Sequence, residues 1–577
     1  MPWLGWYGRV PRGGPPVARR GRCAIVPDMP DTTADLVFRG GHVHTVDRHR
    51  PRADAVAVSG ERIVAVGSDG DVDPLIGPRT RVIDLAGGLL LPGFQDAHVH
   101  PIFGGMDRLQ CDLRESRGRD GVLATIRAYV DAHPDAAWIV GSGWYMADFP
   151  NGTPRREDLD AIVPDRPAFF PNRDGHSTWV NSKALELAGI TADSADPPDG
   201  RIERDPDGSP TGTLHEGAAD AVEKLLPETT DDEWYEGLKI GQAYMHSLGI
   251  TAWQDAIVDE KHEAIYRRAA EAGDLTARVE MALWWDRFRG GEQVGELVER
   301  SARGPVGRLR GNSVKIMQDG VLETYTGAMI EPYLDRDGRP SDNRGISFVD
   351  PIELREHVTR LDAAGLQVHF HAIGDRAVRE ALDALEAARK SNGTTDTRPH
   401  IAHIQVIHPD DVPRFAALDV VANAQPLWAC HEGQMDELTI PFLGPERSTW
   451  QYPFRSLLRS GARLAMGSDW GVSSANPLEE IEVAVTRVWF ESRGEAEPFL
   501  PEERLSFEDA VEGFTLGSAW VNHLDADTGS ITVGKLADLA VVDRDLFAPD
   551  GGPIADGRVI ATFVGGEAVF EDPALRS

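Results

Sequence analysis

Between Gly249 and Gly471, short apolar runs alternate with amphipathic helical stretches, and nothing else in the chain restricts its fold as much. "GITAWQDA" (Gly249–Ala256), "NSVKIMQDG" (Asn312–Gly320), "LQVHFHAIGD" (Leu366–Asp375), "PHIAHIQVI", "VVANAQP" and "RLAMGSDWG" have strand character. Between them, Leu354, Val358 and Leu361 keep near-helical spacing up to Gly365, and Val378, Ala381, Leu382 and Leu385 follow the i, i+3, i+4, i+7 rule. Such alternation predicts an α/β fold with a parallel sheet and covering helices. Its length suits a (β/α)8 barrel better than a dinucleotide-binding sheet, and no Gly-x-Gly-x-x-Gly turn follows a strand.

The two chain ends read differently. "DLVFRGGHVHTVD", "DAVAVSGERIVAVG" and "TRVIDLAGGLLLP" are short strands broken by glycine pairs, and "GSITVGKLADLAVVDRD" and "GRVIATFVGGEAVFED" repeat the style near the C-terminus. Neither half has enough strands for a stable sandwich, so residues 34–91 and 526–573 are expected to combine into one small antiparallel β-sandwich. The barrel then takes residues 92–114 and 215–525. Residues 115–214, rich in Trp, Pro, Asp and Gly, form an insertion after the first barrel strand that roofs the mouth. Residues 1–33 are expected to be a disordered extension, since strand patterning starts after Met29.

Charge excludes some functions. With 59 basic and 93 acidic residues the net charge is -34, which argues against a nucleic-acid or anionic-membrane surface. The three cysteines, Cys23, Cys111 and Cys430, form no disulfide or zinc-knuckle pattern and fit a reducing, cytoplasmic setting. No apolar run approaches the ~18 residues of a membrane span. The expected partner is a small-molecule substrate, with a homodimer left open.

Chemistry gathers at the strand ends, where a barrel keeps its reactive groups. In "LLLPGFQDAHVHP", Asp96, His98 and His100 occupy alternate positions and share one face. Two imidazoles backed by a carboxylate suit a divalent metal; a hydrogen-bonded buried pair is the plainer alternative. His42 and His44 in "HVHTVD" have the same spacing in the small β-region with no further ligands behind them, and read as structural. Lys315 in the fourth strand, His371 in the fifth, His403 in the sixth and Asp469 in the eighth lie at corresponding depth. His369 competes with His371 from one pleat earlier. Two readings of Lys315 stand: a carbamate formed with carbon dioxide, able to bridge two cations, or an ammonium paired with Asp319 or Asp469. Asp469 is a ligand and proton acceptor or a helix N-cap, and Asp375 reads as an N-cap. Asp96 reads as a strand-end group.

The series "LPGFQDAHVHP", "DGHSTWVNSKAL", "KIMQDG", "HFHAIGDRAV", "AHIQ" and "GSDWGV" resembles the motif series of the amidohydrolase superfamily. The match is to its YtcJ-like branch, which includes N-substituted formamide deformylase, and runs from about Asp35 to Glu571. The resemblance implies a metal-dependent (β/α)8 barrel with a composite β-sandwich, hydrolysing non-peptide carbon–nitrogen bonds. By position, His98 and His100 hold the more buried metal with Asp469, His371 and His403 hold the outer one, and Lys315, if carboxylated, bridges them. The cofactor implied is one or two divalent metals, zinc first, with N6-carboxylysine at Lys315. Catalysis would fall to Asp469 as general base, acting with hydroxide made available by the metal, and to His176. His176, Asn181, Trp144 and Trp428 are substrate-binding candidates, with Tyr145, Phe149 and Trp179 in the same aromatic set. Val321 and Glu323 depart from the family pattern in a loop beside the ligands, which bears on the substrate and leaves the metal site untouched.

The function expected is hydrolysis of an amide, formamide or cyclic amide. Deamination of a heterocycle on the same barrel is the alternative, although deaminase branches carry a Glu shortly after the fifth-strand His and "HAIGD" has none. A catalytically inactive binding protein is the third reading, opposed by the presence of all six ligand-type residues.

Overall fold

The computed structural model describes residues 33–114 and 116–573. The expectation for the N-terminal extension therefore lies outside the described residues, Thr33 apart. Eight parallel strands form the central sheet: β1 Phe94–Val99, β2 Ile250–Val258, β3 Arg278–Trp284, β4 Leu309–Met317, β5 Gln367–Ala372, β6 His400–His403, β7 Val421–Ala424 and β8 Leu464–Met466. They follow one another in sequence order and curl into a nearly closed barrel. Seven coincide with the runs named above. The remaining strand, β3, was not among those runs.

Alternation along each strand builds two environments. Val314 and Ile316 on β4 and Val368 and Phe370 on β5 are buried against the helical layer. Each contributes roughly 1.5–3 kcal/mol by leaving water. Their neighbours Lys315, His369 and His371 face the barrel interior. Apolar packing outside thus sustains a polar lining inside, and the site rests on that asymmetry.

The barrel closes where β1 meets the end of β8. Asp469 N donates to His98 O at 2.8 Å and His100 N to Trp470 O at 2.5 Å. Asp96 accepts from the Ser468 amide at 3.1 Å and from its hydroxyl at 2.5 Å, which gives it a strand-end role at the seam. Burial pushes the Asp96 carboxyl up to about 7 even against those hydrogen bonds. Only glycine fits at Gly467, where a Cβ would sit 2.5 Å from His98 N. Immediately after His100, helix Pro101–Asp107 crosses helix Asp231–Ser247 so closely that a Cβ on Gly105 would lie 1.8 Å from Gly237 O. The ligand-bearing end of β1 is therefore clamped from both sides.

The chain ends do build two sheets around one core. Leu89–Pro92 pairs antiparallel with Leu539–Val542, joining the halves in a six-stranded sheet. The second sheet holds Leu36–Arg39, Ala55–Ser59, Arg62–Gly67 and Arg81–Asp84. Phe38 meets Phe563 edge-on across the core, with ring centroids 5.1 Å apart. The expectation of purely antiparallel pairing needs correction. Leu36–Arg39 pairs parallel with Arg81–Asp84, and His42–His44 pairs parallel with Leu89–Pro92, because intervening chain returns each partner to the starting edge. The segment after β1 carries its own six-stranded mixed sheet, from Cys111–Asp112 to Pro210–Glu216. No described helix is long and apolar enough to cross a membrane.

Candidate metal and substrate site

At the C-terminal end of the barrel, Asp469 sits among imidazoles. Its Oδ1 lies 3.2 Å from His98 Nε2 and 3.0 Å from His100 Nε2, and its Oδ2 is 3.9 Å from His403 Nδ1. The ring of His371 is 4.4 Å from that of His403, and its Nδ1 is 3.3 Å from Asp319 Oδ1. Among the described residues, His98, His403 and Asp469 bring donor atoms within 4.8 Å of one another, close enough to hold a metal, whereas the family pattern pairs His98 and His100 with Asp469.

Two of these residues owe their aim to unusual backbone. His400 and His403 are three apart, so in a regular strand they would point to opposite faces. Both rings nevertheless lie inside the barrel, because His403 takes φ 75° and breaks the pleat. Asp469 has φ 54°. For non-glycine residues such conformations cost on the order of 1–3 kcal/mol and cluster at functional sites. The Asp469 side chain faces the imidazoles, not the helix that follows.

The donor set fits a divalent cation. His98 Nε2, His100 Nδ1, His371 Nδ1, His403 Nδ1 and Asp469 Oδ1 are buried without a hydrogen-bond partner. That many unmatched polar atoms in one interior is costly unless something binds them. Burial first, and then the charge of Lys315, hold His98 and His371 well below the ordinary imidazole range. They are thus in the neutral form that ligates. Lys315 points into the same space, 2% exposed, and burial lowers its amine to about 8 against the attraction of Asp469 and Asp255. Among the described residues it makes no ion pair within 4 Å to Asp319 or Asp469. The pairing reading also loses its first partner, because Asp319 is occupied by the amides of Ala328, Ile373 and Gly374.

A cavity of about 600 Å³ lies beside the site, bordering it through Trp428 and Trp470 and not through the ligand candidates themselves. Tyr145 and Asp174 from the insertion line it together with Val321, Glu323, Trp428 and Trp470 from the barrel side. Trp428 stacks on the His403 ring at 5.5 Å and 13°, so an aromatic wall continues directly from a ligand candidate. Val321 and Glu323, the two departures in the loop after β4, both face this space. Burial pushes the Glu323 carboxyl up to about 7.

Two substrate candidates are corrected. Trp144 is fully buried in the insertion's core and donates through Nε1 to Phe170 O at 2.7 Å; Phe149 and Trp179 share that core. Asn181 is the N-cap of helix Ser182–Ala188, and its side chain also binds Ala168 N, Val163 O and Arg166 O. An aromatic-rich insertion of this size needs its own core, and that need claims these residues. Asn181→Ala is expected to weaken the insertion by about 2–4 kcal/mol. Limited proteolysis within it would quicken while bound metal stays at the wild-type level. Asp375 is corrected too: Gly374 is the N-cap of helix Asp375–Asn392, and Asp375 Oδ1 accepts from Ile330 N at 2.8 Å.

His176 does reach the site, 5.7 Å from His371 between ring centroids. Its Nδ1 lies 3.0 Å from Glu216 Oε1. Burial alone would lower this imidazole, but the charge and hydrogen bond of Glu216 outweigh it and push it up to about 9. Glu216 also accepts from Thr326 Oγ1 at 2.8 Å. It carries no motif in the sequence and becomes visible only through this pairing. Asp255 is a second residue the strand pattern passes over, although it stands near the end of β2. Tyr266 holds it at 2.7 Å.

Glu216→Gln is expected to shift the pH profile of turnover. In wild type His176 stays protonated up to about pH 9. Without the carboxylate, burial prevails and the imidazole loses its proton below its ordinary value. If protonated His176 donates to an oxyanion of the substrate, turnover at pH 8 should then fall by about 10²–10³-fold, the usual cost of losing such a donor, and recover partly toward pH 6. An unchanged pH–rate profile would remove His176 from that role.

The sequence model of a family described as "Amidohydrolase family" matches residues 81–570. Protein LONG AFTER FAR-RED 3 of Arabidopsis thaliana is 32% identical over 558 residues, covering 93% of this chain and 92% of its own. N-substituted formamide deformylase of Arthrobacter pascens is 29% identical over 547 residues, covering 93% and 98%. Among solved structures, an uncharacterized metal-dependent hydrolase from Pyrococcus furiosus superimposes with a TM-score of 0.66 at 28% identity, over 88% of this chain and 99% of its own.

Proposed function

The chain belongs to the amidohydrolase family, and from that premise we propose that it hydrolyses a non-peptide carbon–nitrogen bond in an amide, formamide or cyclic amide. One observation carries the reading: His98, His403 and Asp469 bring donor atoms without hydrogen-bond partners within 4.8 Å of one another, beside an aromatic-lined cavity whose Trp428 stacks on His403. His98, His100, His371, His403 and Asp469, with Lys315 as a carbamate, would hold one or two divalent cations, zinc first, which supply Lewis acidity and lower the pKa of water.

The chain's own groups divide the remaining work. Asp469 takes the proton of the attacking water and delivers it to the leaving nitrogen as the tetrahedral intermediate collapses. Protonated His176, held by Glu216, donates to the developing oxyanion. Trp428 and Tyr145 flank an apolar substituent of the small-molecule substrate and keep bulk water from it. The carbamate reading of Lys315 is supported by its lowered amine, since only the neutral amine captures carbon dioxide. The resemblance to a formamide deformylase favours a substituted formamide or a related amide. Deamination is less favoured, because the nearest acid after His371 is Asp375, whose Oδ1 is spent on Ile330.

The test is a panel of N-substituted formamides, anilides, cyclic amides and aminated heterocycles offered to the zinc-loaded chain. Release of a carboxylic acid with an amine, or ring opening, supports the proposal. Ammonia from the heterocycles alone overturns it in favour of deamination, and no turnover of any class overturns both.

A further inference from the structure

One layer below Asp469, His369 Nε2 lies 2.7 Å from His98 Nδ1. Both rings are fully buried, with centroids 4.7 Å apart. The distance defines the relation. Two imidazoles ligating one tetrahedral cation at about 2.0–2.1 Å keep their nitrogens about 3.3 Å apart. At 2.7 Å the pair shares a proton, so His369 is no rival to His371 for a metal.

His369 is itself held in place. Its other face packs on His400, with centroids 3.9 Å apart and 36° between the planes. His400 cannot rotate: Nε2 donates to Gln254 Oε1 at 3.0 Å, and Nδ1 accepts from Asn423 Nδ2 at 3.1 Å. Gln254 is fixed in turn by donating to Gln367 Oε1 at 2.9 Å. Asn423 gives its other hydrogen to Ala97 O at 2.9 Å, on the residue before His98. The floor of the barrel is thus a hydrogen-bonded layer on which His369 stacks; its Nδ1 is buried without a partner, and among the described residues its side chain makes a single hydrogen bond, the one from Nε2 up to His98.

We propose that His369 is a positioning residue for the metal site, accepting the Nδ1 proton of His98 so that the His98 Nε2 lone pair faces Asp469 and the cation. The inference rests on the metal-dependent reading, since a cation at Nε2 is what places the proton on Nδ1. A ligand imidazole tied down at its second nitrogen keeps one tautomer and one ring angle. Loss of such a partner typically weakens metal binding by about 10–100-fold. A neutral imidazole as the acceptor does this without adding negative charge to a set that already contains Asp469.

The experiment compares wild type, His369→Leu, His369→Gln and His98→Ala, each reloaded with zinc and then challenged with EDTA. Zinc per chain and its rate of loss are followed by elemental analysis, with circular dichroism to confirm folding. His369→Leu should weaken zinc retention 10–100-fold, and His369→Gln, which keeps an acceptor, should stay within about threefold of wild type. His98→Ala distinguishes loss of the metal site from loss of the positioning role. If it retains zinc like wild type, the metal reading fails; if it loses zinc while His369→Leu does not, only the positioning role fails. Should His369→Leu not fold, side-chain ¹⁵N-histidine spectra of zinc-loaded wild type and His369→Gln decide. The signal that disappears must belong to an Nδ1–H imidazole with an accepting Nε2. An Nε2–H signal in its place overturns the proposal.

Discussion

Asp469→Asn is expected to cut kcat/KM by about 10³–10⁴-fold while leaving much of the bound metal in place. The carboxylate lies between two imidazoles, with Oδ1 at 3.2 Å from His98 and 3.0 Å from His100, and Oδ2 turned toward His403. An amide keeps one oxygen for that position and has nearly the same shape, but it cannot accept a proton from water or pass one to a leaving nitrogen. The expected signature is therefore a collapse of kcat with KM changed little, measured beside metal content in the same preparation. Activity within tenfold of wild type at full metal occupancy would assign the proton transfer to another group.

Lys315→Ala is expected to reduce metal content from near two per chain to one or fewer, with turnover falling at least 10²-fold. The side chain is buried inside β4 with no ion pair to Asp319 or Asp469 among the described residues, and burial brings its amine down to about 8. Near that pH a large fraction is neutral and nucleophilic. As a carbamate it becomes an anionic oxygen donor among imidazoles otherwise balanced by Asp469. Lys315→Glu, which restores a carboxylate on a shorter arm, should recover part of the metal. One metal in both wild type and Lys315→Ala would make Lys315 a charge-balancing group and leave Asp469 acting in a mononuclear site. No metal in either after reloading would overturn the metal reading altogether.

The architecture was legible because it is periodic. Strand–helix alternation and the paired β-rich chain ends follow from side-chain spacing, which is a local property. The ligand candidates were legible for the opposite reason: His98, His100, Lys315, His371 and Asp469 interrupt apolar runs near strand ends, where polar groups are expensive. Glu216, Asp255 and the role of His369 were not, since a single carboxylate after a strand looks like any surface acid until its partner is known. Trp144 and Asn181 mark the converse error. Indole and amide side chains suit a pocket and a buried core equally, and composition does not say which surface they face.

By itself the sequence determined the parallel barrel, the union of its two ends in one sandwich and the presence of a metal-type donor set, because each depends on residue type and spacing along the chain. Only the tertiary structure decided that His403 turns inward beside His98, that His176 is held by Glu216 across 40 residues, that Trp428 and not Trp144 walls the cavity, and that His369 supports His98 from below. Those are relations between strands and loops far apart in the chain. They depend on how the barrel closes, and on positive φ at His403 and Asp469, which no local pattern of residues encodes.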